Sequence, residues 1–395
     1  MIAVVEPVCA GLEHVPINTS MLQVISAAFP GAPLAVSGDA GHLSELANSV
    51  GDAVAQATRW RSSRIPPRRA EFGGRLAVEL SLIASAARGA EGATPRLLVL
   101  LSGTASTIVA VKLLRAAGRL RVPVQFVLHG AAADLSGWRS RNPLRRVTDL
   151  RSAVAMPPRR RIQYVVLEEA ILERITHEHP RLARDFVGLP HPLLPAEIHR
   201  PSPSSEFRPL RVGFLGLATR QKGFDVFLQL AERLTRRHPG RVEFHAIGSR
   251  PISEAAVETP FLATAPSATK LSRAEYLDLA RRLHYVCLPY QGSHYELTAS
   301  GVLLDAIANA LPVIASRTPT VDRLFEGAEP GHCSRDTDDM ERAIEERIVG
   351  LTQERYAREV ADMAGWQRSR LPATLAHPYL AATRALLARG PAVAQ

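Results

Sequence analysis

Short apolar runs rich in β-branched residues recur along this chain, separated by longer segments whose apolar residues fall at helical spacing. In the first half these runs are IAVVEP, PLAVSGD, RLLVLLSG, PVQFVLHG and IQYVVLEE, closing on glycine, serine, histidine or an acidic residue. LEEAILERITHEH is one of the helical segments between them. Such strand–helix alternation predicts an α/β protein, with parallel sheets covered by helices on both faces. The apolar stretch at 97–111 is interrupted by Ser102, Gly103, Thr104, Ser106 and Thr107. It therefore predicts a buried strand, a turn and a helix start, being too short and too polar to span a bilayer.

The alternation pauses at LPHPLLP and RPSPSSEFRP, whose proline and serine content is that of an interdomain linker. It resumes with LRVGFLG, VEFHAIG, YVCLPY and PVIAS as strands, and with FDVFLQLAERLTRR, SRAEYLDLARRL and GVLLDAIANA as helices. At 395 residues the chain exceeds what one hydrophobic core usually organises. Two α/β domains are expected, one over 1–195 and one over 196–368, followed by a C-terminal helical segment over 369–395.

Composition narrows the class. The chain is 46% hydrophobic and 22% charged, as for an ordinary globular protein. Cys9, Cys287 and Cys333 lie far apart with no Cys-x-x-Cys or Cys/His cluster, which argues against structural zinc or a disulfide framework and for a reducing cytoplasm. The opening MIAVVEPVCAG carries Glu6 and no basic segment, so a signal peptide is not expected. The net charge of +10 is uneven: 23 Lys/Arg against 15 Asp/Glu over 1–195, but 25 against 23 over the rest. The excess gathers in three loop-like runs, Arg59–Arg69, Trp138–Arg146 and Pro157–Arg161. They read either as solvated surface or as a patch for anionic lipid head groups or a polyanionic acceptor, with Trp60 and Trp138 available to a membrane interface. No nucleic-acid recognition module is present, so nucleic acid is not expected as a partner.

Two segments carry candidate chemistry. In Phe214–Leu234 a strand ends at Gly216, a short loop bears Arg220 and Lys222, and a helix starts near Gly223–Phe224. Backbone N–H groups, a positive helix end and two cations suit an anion, although many surface loops share the bare pattern. In Pro289–Ser316 a buried strand leads to a polar loop, Thr298 or Ser300 can cap the next helix, and Gly301 and Val302 open it. Asp305 lies one turn further along in an otherwise apolar run, placed either to accept from ribose hydroxyls or simply near a helix dipole.

Together these segments resemble the C-terminal domain of the GT-B glycosyltransferases, in particular glycosyltransferase family 4, in its bacterial polysaccharide-assembly form. Gly216 to Lys222–Gly223 has the family's loop spacing, and LLDAIANALPVIAS (Leu303–Ser316) follows its second motif nearly position by position. The resemblance implies two Rossmann-like domains facing a central cleft, the first on the acceptor side and the second binding the nucleotide sugar. The C-terminal helix HPYLAATRALL would cross back to the first domain. It implies transfer of a hexose-type sugar from a UDP- or GDP-sugar to a saccharide or lipid-linked acceptor, with retention and without a metal. Such an enzyme would be cytoplasmic, either free or peripheral on the inner face of the cytoplasmic membrane. It implies that Gly11, Gly216, Lys222, Ser300, Gly301, Val302 and Asp305 bind the donor, and that His129, Lys222, Arg220 and Glu296 serve catalysis.

Three departures qualify this picture. The family's phosphate-binding Arg falls on Leu217, its first Glu on Leu297 beside Glu296, and its second Glu on Asp305. The cation must then be lost or supplied from elsewhere, with Arg220 the candidate. A catalytically weakened GT-B scaffold and a GT-B sugar-nucleotide epimerase stay open as alternatives.

Overall fold

A computed structural model describes residues 1–67, 69–89, 94–135, 142, 146, 148–199, 207–251, 259–291 and 295–388. The chain divides into two compact units. One comprises Met1–Pro195 with the C-terminal segment from Arg370; the other is Ala196–Ser369.

In the first unit the described residues form a seven-stranded sheet: β1 (Ile2–Val5), β2 (Leu34–Gly38), β3 (Thr58–Ser62), β4 (Leu97–Leu100), β5 (Val124–Val127), β6 (Ile162–Leu167) and β7 (Phe186–Leu189). The order is β3-β2-β1-β4-β5-β6-β7, and every pairing is parallel. β1, β4, β5 and β6 are buried throughout, as continuous apolar runs in a helix-covered sheet should be. One core joins Val4, Val36 and Val99 of the sheet to Met21 and Ile25 of the helix Val15–Ala28. Leu375, Tyr379 and Leu386 of the helix Pro372–Leu387 complete it.

β3 corrects the expectation that Arg59–Arg69 is loop throughout. Its first residues are an edge strand, with Arg59 turned to solvent and Trp60 packed on the core, its indole N–H donating to Ala55 O at 3.2 Å. Charge on an edge strand blunts its unpaired backbone, and alternation lets the same strand bury a tryptophan. Trp60 is therefore not available to a membrane interface. Trp138, with most of its run, lies outside the described residues.

The second unit has a six-stranded sheet: β8 (Leu210–Leu215), β9 (Val242–Ile247), β10 (Leu262–Thr264), β11 (Tyr285–Leu288), β12 (Val313–Ser316) and β13 (Gly331–Ser334). Its order is β10-β9-β8-β11-β12-β13, again parallel. The helix Phe224–Arg237 buries Phe227, Leu230, Ala231 and Leu234, one face of a 3.6-residue period, against Phe214, Phe244 and Tyr285. In both sheets strand order reverses beside the first strand, between β1 and β4 and between β8 and β11. Loops at the carboxyl ends of such strands form the crevice where open α/β sheets bind ligands.

Candidate donor site

At the β8/β11 switch point the chain leaves β8 through Gly216, whose N–H donates to Ile247 O at 2.8 Å. A Cβ on Gly248 would lie 2.0 Å from Gly216 O, so the ends of β8 and β9 touch backbone to backbone. After a short 3₁₀ turn over Arg220–Lys222, Gly223 adopts φ 78° and caps the helix Phe224–Arg237. A Cβ there would fall 1.7 Å from Pro289 O at the end of β11, so only glycine fits both the conformation and the space.

These contacts bring the loop's lysine inward. A Cβ on Gly216 would meet Val302 Cγ2 at 3.1 Å and Lys222 Nζ at 3.4 Å. Lys222 and the first turn of the helix Gly301–Ala308 thus both approach the end of β8 at Gly216. Burial pushes its ammonium below the usual lysine range, and the charge of Asp305 partly offsets this. Ser300 caps that helix by accepting from Leu303 N–H at 3.2 Å, and its hydroxyl also bonds the Tyr290 hydroxyl. Tyr290 packs on Tyr295 with ring centroids 4.0 Å apart. Gly301 and Val302 occupy the first turn, where backbone N–H groups lack intrahelical acceptors, and a Cβ on Gly301 would meet nothing within 4 Å. Cation, helix N-terminus and open space coincide here, the arrangement that takes a phosphate group.

Asp305, one turn in, is half-buried. Burial raises its carboxyl, while hydrogen bonding and charge from Arg273 lower it. Arg220 does not join this group: its side chain is 86% exposed and faces Asp225 at 3.8 Å. It does not replace the missing family cation in this arrangement, because the turn that directs Lys222 inward directs Arg220 out. Glu296 is half-buried between buried Tyr295 and Leu297. Among the residues that sequence reasoning missed, Arg273 and Tyr276 meet Asp305 across 32 and 29 positions, which no local motif announces, whereas Tyr290 lies in the same segment as Ser300.

In the first unit the loop after β1 is held by buried Glu6. Its carboxylate accepts from Val8 N, Cys9 N, the Asn18 amide and the Ser102 hydroxyl at 2.8–2.9 Å. Gly11 N–H donates to Asp39 Oδ1 at 3.2 Å, and Gly11 O accepts from His42 Nδ1 at 2.8 Å. His129, just beyond β5, lies edge-on to His14 with ring centroids 4.7 Å apart. Burial, then the neighbouring His14 and His191, pushes the His129 imidazole down to about 3, so it is neutral near pH 7. His191 is pushed down to about 4, chiefly by burial. His14, the residue before the helix Val15–Ala28, and His191 were not expected from the sequence; no spacing rule links the ends of three separate elements. Among the described residues no group of three or more His, Cys, Asp or Glu is arranged to hold a metal ion, and no helix is long and apolar enough to cross a membrane.

Residues 209–353 match the family described as glycosyl transferases group 1. No curated protein sequence matches the chain. Among solved structures, HepE from Anabaena in complex with UDP is similar, at TM-score 0.64 and 14% identity, over 97% of this chain and 99% of that one. So are the sucrose-phosphate synthase of Thermosynechococcus elongatus (TM-score 0.64, 14% identity, 98% and 99% covered) and a glycosyltransferase from Rickettsia africae (0.64, 10%, 98% of each). The chain has the GT-B fold, and residues 209–353 of its second unit match the group 1 glycosyl transferase family.

Proposed function

We propose that this protein transfers a hexose-type sugar from a UDP- or GDP-sugar to a saccharide or lipid-linked acceptor, with retention and without a metal. The observation that carries the reading is the convergence of Lys222 and Gly216 on the open N-terminus of the helix Gly301–Ala308, with Asp305 one turn inside. The diphosphate would lie against the N–H groups of Gly301 and Val302 with Lys222 as its cation, and Asp305 would accept from the ribose. Negative charge grows on the departing phosphate during transfer, and fixed donors aimed at it supply the main catalytic effect. That HepE was solved with UDP and with UDP-glucose supports a nucleotide-sugar donor. His129 would act as a neutral hydrogen-bonding group beside the sugar rather than as an acid. The exposed arginines of the first unit, among them Arg59, Arg119, Arg121, Arg160 and Arg184, favour an anionic acceptor or an anionic membrane surface.

The test is a thermal-shift screen with UDP, GDP, ADP and their sugars, followed by nucleotide-release assays. A ligand at 100 times its Kd adds about 2.7 kcal/mol of stability. Release of free nucleotide supports transfer. Binding without turnover would favour the scaffold reading, which the absence of cationic and acidic groups at Leu217 and Leu297 motivates, and a changed sugar would favour epimerisation. No shift with any nucleotide would refute all three.

A further inference from the structure

Both carboxylate oxygens of Asp305 are already engaged from one side. Oδ1 accepts from Arg273 Nη2 at 2.7 Å and Oδ2 from the Tyr276 hydroxyl at 2.8 Å. The two donors sit one turn apart on the helix Arg273–Ala280, whose start is fixed by a Ser272/Glu275 capping box. Arg273 is itself anchored: its Nε and Nη2 fork onto Glu197 Oε1 and Oε2 at 2.9 and 2.6 Å, and its guanidinium lies 5.4 Å from the centre of the Tyr276 ring. The two hydrogens of one Nη2 atom therefore serve two different carboxylates.

We propose that Arg273 is a positioning residue for the donor nucleotide, holding Asp305 together with Tyr276 so that it presents one acceptor site on each oxygen to a vicinal diol. Glu197 fixes Arg273 for this task. The inference rests on Asp305 being the ribose acceptor. A carboxylate has about four lone-pair sites. Arg273 and Tyr276 take one on each oxygen, which leaves one acceptor site on each oxygen for the two hydroxyls of a ribose 2′,3′-diol. The outer torsion of an aspartate side chain is broad, so without these donors the carboxylate plane would turn. Lysine, a point charge without the planar fork, cannot hold the same geometry. Among the described residues, the charged and titratable groups that act on Asp305 include Arg273 and Tyr276 on one helix, Glu197 in the turn Pro195–Glu197, Lys222 after β8 and Tyr290 after β11. Arg273 is the cation that hydrogen-bonds the carboxylate directly.

The experiment titrates UDP or GDP, whichever stabilises the protein, and its 2′-deoxy analogue into wild type and into Asp305→Asn, Arg273→Gln and Arg273→Lys variants. Melting temperatures are recorded alongside, between pH 5.5 and 8.5. Wild type should prefer the ribonucleotide by about tenfold, the ratio set by one hydrogen bond to a charged group. Both Arg273 variants should lose that preference, the two affinities converging on the wild-type value for the deoxy analogue. Arg273→Gln should also bind more weakly as pH falls, because Asp305 then titrates without its cation. A structural role alone would lower the melting temperature and weaken both nucleotides equally; a preserved ribose preference in both Arg273 variants would overturn the proposal. If wild type shows no preference and Asp305→Asn binds normally, the ribose assignment fails first and takes this inference with it.

Discussion

Consider replacing Lys222 with methionine, which keeps the length of the side chain and removes only its charge. In the folded protein this side chain is half-buried, with its ammonium close to Gly216. Its pKa lies below the unfolded value, so the folded state holds this proton less tightly and stability from this group rises with pH toward the ordinary lysine range. Methionine removes that penalty. Its melting temperature near pH 7 should equal or exceed that of wild type, with a flatter dependence on alkaline pH. Turnover should move the opposite way. Removing one preorganised donor from a charge that develops in the transition state costs about 10²–10³ in kcat, or about 2.7–4 kcal/mol. Nucleotide release under saturating donor gives kcat, and a melting curve on the same preparation gives stability. A variant whose kcat stays within about threefold of wild type, against that hundredfold scale, would refute the argument and reduce the loop to a surface turn. A fall in both quantities would show that the lysine supports the fold instead.

Leu217, 42% exposed where the family carries arginine, has room for a longer side chain. Leu217→Arg should strengthen diphosphate binding about tenfold, measured by calorimetry, and steepen its salt dependence. Gly223→Ala must place a Cβ 1.7 Å from Pro289 O at a positive φ, and should cost about 2 kcal/mol or more, read as a lower melting temperature with weaker nucleotide binding. Glu79 is fully buried, and burial raises its carboxyl to about 7. Its folded pKa exceeds the unfolded value of 4.5, so its contribution is present below about pH 4.5 and lost as pH rises through 7. Glu79→Gln should therefore melt higher than wild type at pH 8 and lose the decline between pH 5 and 7.

The α/β pattern was legible because buried parallel strands are written as continuous apolar runs, and LRVGFL, YVCL and VIAS sit in β8, β11 and β12. β3 was not, because TRWRS looks polar unless one knows that it lies at an edge, where alternate arginines can face water. The switch-point loops carry local signals: a glycine after a strand, a lysine before a helix start, a serine cap. What holds those signals in place is non-local. Gly223 needs Pro289, and Asp305 needs Arg273, 32 positions earlier, together with Glu197. Nor does composition tell two nearby cations apart. Arg220 and Lys222 share one turn, yet only the lysine reaches Gly216, because residues two apart in a 3₁₀ turn point in different directions.

The two positions where this chain lacks a charge of the family differ physically, and the difference bears on what the site recognises. Leu217 is exposed, so an arginine there would meet water and, if the site is as proposed, a phosphate. Leu297 is 6% exposed and packs inward, so a glutamate in its place would bury a carboxylate at a cost of several kcal/mol unless the loop rearranged. Under the proposed function the phosphate end would be one substitution from the pattern of the family it resembles, whereas the sugar end would be built around a hydrophobic side chain. Under the proposed function, recognition of the transferred sugar must come from other groups, with the half-buried Glu296 the adjacent candidate. It follows that nucleotide diphosphates alone should bind nearly as tightly as their sugars, and Glu296→Gln should change the ranking among donor sugars while leaving affinity for the free nucleotide untouched. Sugar-dependent affinity that survives Glu296→Gln would refute that assignment.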